Sequence, residues 1–129
     1  MQYERTNKRS LGTEYEDRAA EYLESLGYFI LEHSFSCKMG EIDLIALRDT
    51  EEGSKEYVFV EVKYRRTAKS GEPIEAVSYQ KQRKICRTAD FYRMKKRLPE
   101  YFSYRFDVIA FEGQRMKHYE NAFYYIPGR

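Results

Sequence analysis

Gly40-Glu41-Ile42-Asp43-Leu44-Ile45-Ala46-Leu47 and Tyr57-Val58-Phe59-Val60-Glu61-Val62-Lys63-Tyr64 are the two stretches whose reading decides the fold. Both are short, rich in β-branched and aromatic residues and bounded by turn residues, so both read as strands. Between them, the charged stretch from Arg48 to Glu56 holds Gly53 and Ser54. That is the composition of a hairpin connection, and it predicts antiparallel pairing. Side chains alternate along a strand, so Glu41 shares a face with Asp43, and Glu61 with Lys63. If the two faces coincide, three carboxylates and one ammonium crowd one end of an apolar sheet. Unpaired charge in such a place is costly, and a hard divalent cation is the usual compensation for clustered carboxylates. Lysine offers a metal no ligand at neutral pH. Lys63 is therefore expected to hold a water or to balance charge on a substrate phosphate. The structural alternative is a salt bridge from Lys63 to Glu61 or Asp43 at a strand end. Asp43 and Glu-x-Lys on two adjacent apolar strands favour the functional reading.

These two stretches, followed by Arg105-Phe106-Asp107-Val108-Ile109-Ala110, resemble the YraN family, small bacterial proteins of endonuclease-like fold that are similar to Holliday-junction resolvases. The wider superfamily is the PD-(D/E)xK nucleases. The resemblance runs from about Gly12 to Phe123. Two departures are local: Ile42-Asp43 stands for the superfamily's Pro-Asp, and Ser34-Phe35-Ser36 stands where the family often has an Asn and an Arg. The resemblance implies an α/β (α+β), restriction-endonuclease-like fold with an αβββαβ core, a mixed sheet flanked by helices. It also implies a nuclease that hydrolyses phosphodiesters with Mg²⁺ or Mn²⁺. Asp43 and Glu61 would bind the metal through oxygen. Glu41 would be a further ligand or stand just behind the ligands. Glu16 aligns with the family's helix-one glutamate, which lies near the metal in related nucleases. Lys63 would orient the attacking water or stabilise charge on the phosphorane. Lys81, at a position where the family tends to have lysine, would contact phosphate or that water.

Composition sets the outer bounds. The 129 residues suffice for one domain, 1–129, with residues 1–11 expected as a flexible tail. No stretch approaches the ~18 apolar residues of a membrane span. The polar, basic start reads as no secretion signal. Cys37 and Cys86 lie far apart and read as free thiols in a reducing cytoplasm. His33 and His118 are likewise isolated in sequence, which argues against a zinc site. Net charge is only +2, but its distribution is uneven: Gln80 to Arg97 holds eight basic residues and one acid. Such a segment beside an acidic site is what a phosphate-binding face would look like.

In chain order, Tyr15, Ala19, Tyr22, Leu23 and Leu26 form a helical apolar stripe that Gly27 ends. Thr13 and Glu16 fit a capping box at its start, an alternative role for Glu16. Tyr28 to His33 reads as the first strand. Arg65 to Pro73 reads as a basic loop that leaves the Lys63 strand close to the site. Pro73 or Ile74 opens a second helix running to about Lys96, with Val77, Lys81, Ile85, Thr88, Ala89 and Tyr92 inward. Pro99 breaks it, and Tyr104 to Phe111 follows as a strand parallel to the Glu61 strand. Asp107 reads as a structural partner of Arg105 or Lys63. Arg115 to Tyr119 is a candidate edge strand.

The expected partner is nucleic acid, DNA rather than RNA, with Arg65, Arg66, Lys69, Arg83, Lys84 and Arg87 on phosphates. A homodimer is expected where two strands are cut, with the aromatics near Tyr124 as an interface. The competing reading is a nucleic-acid-binding module of the same fold with little or no cleavage activity. A third is a structural protein whose charges are salt bridges. Whether the substrate is duplex, single strand, flap or junction stays open.

Overall fold

The computed structural model of the chain describes residues 7–65 and 77–128, with side chains from residue 12 onward. The elements run α1 (Asn7–Ser25), β1 (Phe29–Cys37), β2 (Gly40–Asp49), β3 (Lys55–Arg65), α2 (Tyr79–Lys96), β4 (Tyr104–Glu112) and β5 (Arg115–Phe123). The expected αβββαβ order is present, with β5 added at one edge. The strands form one sheet in the order β1-β2-β3-β4-β5. Only β3 and β4 pair in parallel; the other neighbours are antiparallel. The parallel pair is the one joined through a helix, as the geometry of a crossover requires.

The sheet is buried on both faces. Leu44, Ala46, Val58, Val60, Ile109 and Phe111 pack under Ala19, Ala20 and Leu23 of α1. Ile42, Ile45, Phe59 and Phe106 pack against Ile85, Cys86, Ala89 and Tyr92 of α2. Double burial explains why β2 and β4 read as nearly continuous apolar runs rather than clean alternations. Among the described residues, no helix is long and apolar enough to cross a membrane.

The helix ends differ from expectation in instructive ways. α1 begins at Asn7, inside the stretch expected as a tail, so Thr13 lies within the helix and no capping box forms there. Gly12 costs such a helix only about 1 kcal/mol relative to alanine and does not stop it. Its other end is as predicted: Gly27 takes φ +96°, and the N–H groups of Gly27 and Tyr28 donate to the carbonyls of Glu24 and Leu23. The helical part of α2 starts at Tyr79, where the Ser78 hydroxyl accepts from the Lys81 N–H at 3.1 Å. Pro73 to Ala76 lie outside the described residues. β1 extends to Cys37, and β5 to Phe123, beyond their predicted ends.

Beneath β5 sits the predicted pairing residue, Asp107, fully buried. Arg105 Nε and Nη2 donate to its two oxygens, each at 2.9 Å. His118 Nε2 lies 2.7 Å from Oδ2, and its Nδ1 lies 3.0 Å from the Tyr22 hydroxyl. A neutral imidazole protonated on Nε2 satisfies both contacts, with Nδ1 accepting from Tyr22. The pairing of β4 with β5 shifts register between Phe106 and Val108, and the Asn121 N–H freed there donates to Asp107 Oδ1 at 2.9 Å. Burial pushes the Asp107 carboxyl up, but the bonds from His118, Arg105 and Asn121 outweigh it and hold it below the usual range. Its contribution to stability is therefore present above the ordinary Asp pKa and is lost as pH falls through the depressed value. Asp107→Ala removes the two shortest carboxylate contacts of Arg105, leaving it Glu56 at 3.4 Å, Glu120 at 3.8 Å and the Tyr28 hydroxyl at 2.7 Å, and is expected to cost about 3 kcal/mol, read as a lowered midpoint in urea unfolding at neutral pH. A loss below about 1 kcal/mol would show the pair to be no more than a surface-grade contact.

Candidate metal centre

The last regular pair between β2 and β3 is Leu44 with Val60. Two residues on, the Val62 N–H donates to the Asp43 carboxylate at 2.7 Å instead of to a β2 carbonyl. The aspartate side chain thus substitutes for backbone where the ladder opens. On the other side, β1 places Ser34 between residues paired with Leu44 and Ile42, opposite Asp43. Ser34 is left-handed, φ +53°, and its hydroxyl donates to Glu16 Oε1 at 3.0 Å. Carboxylate oxygens of Glu16, Glu41 and Asp43 all lie within 4.8 Å of one another. A cavity of about 500 Å³ opens over Glu16 and Glu41, lined also by Gly12, Thr13, Ser34 and Ser36.

The two acid pairs do not share one face. Val58, Val60 and Val62 pack on the α1 side of the sheet and Phe59 on the α2 side. By alternation Glu61 and Lys63 point to the α2 side, whereas Glu41 and Asp43 gather with Glu16 from α1. Asp43 stands in the gap and reaches both sides: its charge and Glu61's act on each other, and it contacts Glu16. Lys81 Nζ lies 3.6 Å from Glu61 Oε2. The charge of Lys63 also favours the ionised form of Glu61.

Burial and crowding favour the protonated forms of Asp43, Glu16 and Glu61. Burial, then the charge of Glu61, lifts Asp43 to about 7, against the Val62 N–H and Lys81. Glu16 also rises to about 7, first by burial and then by Asp43, with the Ser34 hydroxyl opposing. Glu61 is raised by burial, offset in part by Lys81. The donors are all carboxylate oxygens, the set that suits Mg²⁺ or Mn²⁺. The ion pairs seen among the described residues do not include one to Glu16, Glu41 or Asp43, although the charge of Lys81 acts on Asp43 from beside Glu61. The residues fit a hard divalent ion.

Gly40 fixes how closely α2 approaches this site. A Cβ there would stand 3.1 Å from Thr88 Oγ1 and 3.4 Å from Lys84 Cβ. The helix therefore rests directly on the strand that carries Glu41. Beyond Lys81, α2 presents Arg83 and Lys84 to solvent. Arg87, expected on phosphate, is instead committed to the C-terminal segment. Its Nη2 donates to the Ile126 carbonyl, its Nε lies 3.2 Å from Asp90, and its guanidinium covers the Tyr125 ring. Arg65 is half-buried, with Nη2 3.4 Å from Glu112. Arg66 and Lys69 lie outside the described residues. Sequence reasoning missed Ser34 as the support of Glu16; a polar Ser-Phe-Ser just past the predicted end of the first strand was its only signal.

A family model described as "Uncharacterised protein family UPF0102" matches residues 15–111. A UPF0102 protein of Lachnoclostridium phytofermentans is 44% identical over 117 residues, covering 91% of this chain and 95% of its own length. One from Caldicellulosiruptor saccharolyticus is 45% identical over 103 residues, covering 80% and 82% respectively. One from Aliivibrio fischeri is 47% identical over 109 residues, covering 84% and 85%.

The raised acids set the pH dependence. The folded protein keeps protons on Asp43 and Glu16 up to about 7, whereas the unfolded chain releases them near 4. The folded state binds more protons in that window, so metal-free stability falls as pH rises from about 4 to about 7 and then levels off. Asp43→Asn keeps an acceptor for Val62 and removes the charge. In EDTA at about pH 8 it should melt a few degrees above wild type, by ~1–3 kcal/mol, and near pH 4 the two should coincide. A wild-type melting temperature that ignores pH across the window, or an amide variant less stable at pH ~8, would contradict the unpaired-acid account.

Proposed function

Since the chain belongs to the UPF0102 family, the YraN-like endonuclease-like group, we propose that it is a nuclease that hydrolyses phosphodiester bonds, on DNA rather than RNA, with Mg²⁺ or Mn²⁺. The observation that carries this reading is Asp43, placed where the β2–β3 ladder opens between Glu16 and Glu41 on one side and Glu61 on the other. A divalent ion held there supplies a water of lowered pKa and polarises a phosphoryl oxygen. Asp43, Glu16 and Glu41 are the ligands nearest together, and Glu61 reaches Asp43 from the opposite side.

The rest of the work falls to the chain's own groups. Lys81 is half exposed beside Glu61, and there it can contact a phosphate oxygen. Lys63 balances negative charge and orients the attacking water. Exposed Arg83 and Lys84 continue the basic path along α2, guiding the phosphate backbone by charge. Cutting both strands of a duplex or junction takes two such sites, so the form active on those substrates is a homodimer; exposed Tyr124 is available as part of its contact.

The test is a cleavage panel over duplex, single strand, flap and junction, with Mg²⁺, Mn²⁺ or EDTA. Wild type should cut at least one of these only with metal. Asp43→Asn and Glu61→Gln should each lower the rate about 100-fold or more, lose the rise in melting temperature that metal gives wild type, and still bind nucleic acid. Lys63→Ala should keep the metal-induced rise and lose cleavage. Tight binding with no metal-dependent cutting of any substrate would identify a binding module instead. No binding, no cutting and no thermal response to either metal would sink both readings.

A further inference from the structure

The ring of Tyr64 lies on that of Tyr15, with 4.4 Å between centroids and 16° between planes. Yet Tyr64 keeps 39% of its surface open to solvent. Tyr15 is held independently. Phe111 lies 4.9 Å from it, and the Arg18 guanidinium sits over both rings at 5.3 and 4.9 Å. The result is a supported stack with its outermost ring at the surface.

Both members of the stack are close in the chain to residues of the acid cluster. Tyr15 immediately precedes Glu16 in α1. Tyr64 follows Lys63 and lies two residues beyond Val62, whose N–H is bound to Asp43. By alternation Tyr64 shares the α1 side of the sheet with Val60 and Val62, the side from which Glu16 reaches Asp43. Two residues of strand put it roughly 7 Å past Val62, within the reach of one nucleotide. A tyrosine needed only for packing gains most by being buried. A pre-stacked aromatic left at the surface beside a phosphate site is the arrangement that takes up bases from a single strand.

We propose that the outer face of Tyr64 stacks an unpaired nucleobase next to the phosphate held at the acid cluster, so that the substrate class is nucleic acid with a single-stranded or splayed segment at the point of cutting. This deepens the nuclease reading and rests on it. Within intact duplex the bases already stack on one another, and no face is free for the ring.

The test measures stacking apart from cleavage. Full-length Asp43→Asn protein is mixed with a deoxyoligonucleotide of about 12 residues carrying one aminopurine, and with the same strand annealed to its complement. The single strand should bind with aminopurine fluorescence changed by stacking. Adding Tyr64→Phe should leave affinity and signal unaltered. Adding Tyr64→Leu, which keeps an apolar packing group, should abolish the signal and weaken single-strand binding about tenfold, with duplex binding unchanged. Melting curves of the two variants establish that both are folded. Single-strand binding and signal that survive Tyr64→Leu, or a folded protein that prefers intact duplex, would overturn the proposal. Metal-dependent cleavage by wild type is scored separately. Cleavage without a Tyr64-dependent signal rejects the platform alone, and a Tyr64-dependent signal without cleavage rejects the nuclease reading alone.

Discussion

A partly buried backbone N–H that has lost its strand partner must find another acceptor, and this constraint organises the molecule at two points. Where β2 parts from β3, Asp43 takes the Val62 N–H. Where the β4–β5 register shifts, Asp107 takes the Asn121 N–H. In both cases a short carboxylate mends a break in the sheet, and in both the cost is a negative charge in a largely apolar interior.

The two sites then diverge. Asp107 has a guanidinium on both oxygens and an imidazole at 2.7 Å, so its charge is matched within the core. Asp43 is surrounded by Glu16, Glu41 and Glu61, and the nearest lysine contact the structure gives is to Glu61 rather than to Asp43. The same backbone repair is thus matched by a direct ion pair in one place and, among the described residues, crowded by other carboxylates in the other. Opening the ladder at Asp43 also makes room for a carboxylate to touch groups on both sides of the sheet, which an intact ladder would forbid.

Much of the architecture was legible because it rests on local signals. Apolar runs, Gly27, Pro99 and a helix between two strands were enough for the order of elements and the parallel pair. Asp107 was readable as a structural partner of Arg105 or Lys63, and the partner it takes is Arg105, two residues away on the same face. The site was legible only in part. Glu41, Asp43, Glu61 and Glu16 were singled out, and the three glutamates do converge on Asp43. Strict alternation could not show that Glu61 faces α2 while Glu41 faces α1, because the convergence depends on an irregular strand at Ser34 and a broken ladder at Val62. Tertiary commitments of long side chains were equally hidden. Arg87 looks like any basic residue on a helix until the C-terminal segment is placed over it. His118 looked isolated because its partners, Asp107 and Tyr22, come from β4 and α1.

The bare backbone at Gly40 has a mechanical consequence. Helix α2 bears on the strand there through Lys84 and Thr88, and that bearing acts as a fulcrum. Lys81 stands three residues from Lys84, so the lever arm is only about 4.5 Å, and a tilt of ~10° would move its backbone by less than ~1 Å. The distance from this lysine to Glu61 is therefore stiff against rocking of the helix and soft only against its being lifted off the strand. The far end of α2, with a longer arm, is held in its turn by Ala89 and Tyr92 in the core and by Lys96 beside Glu32 at 3.6 Å.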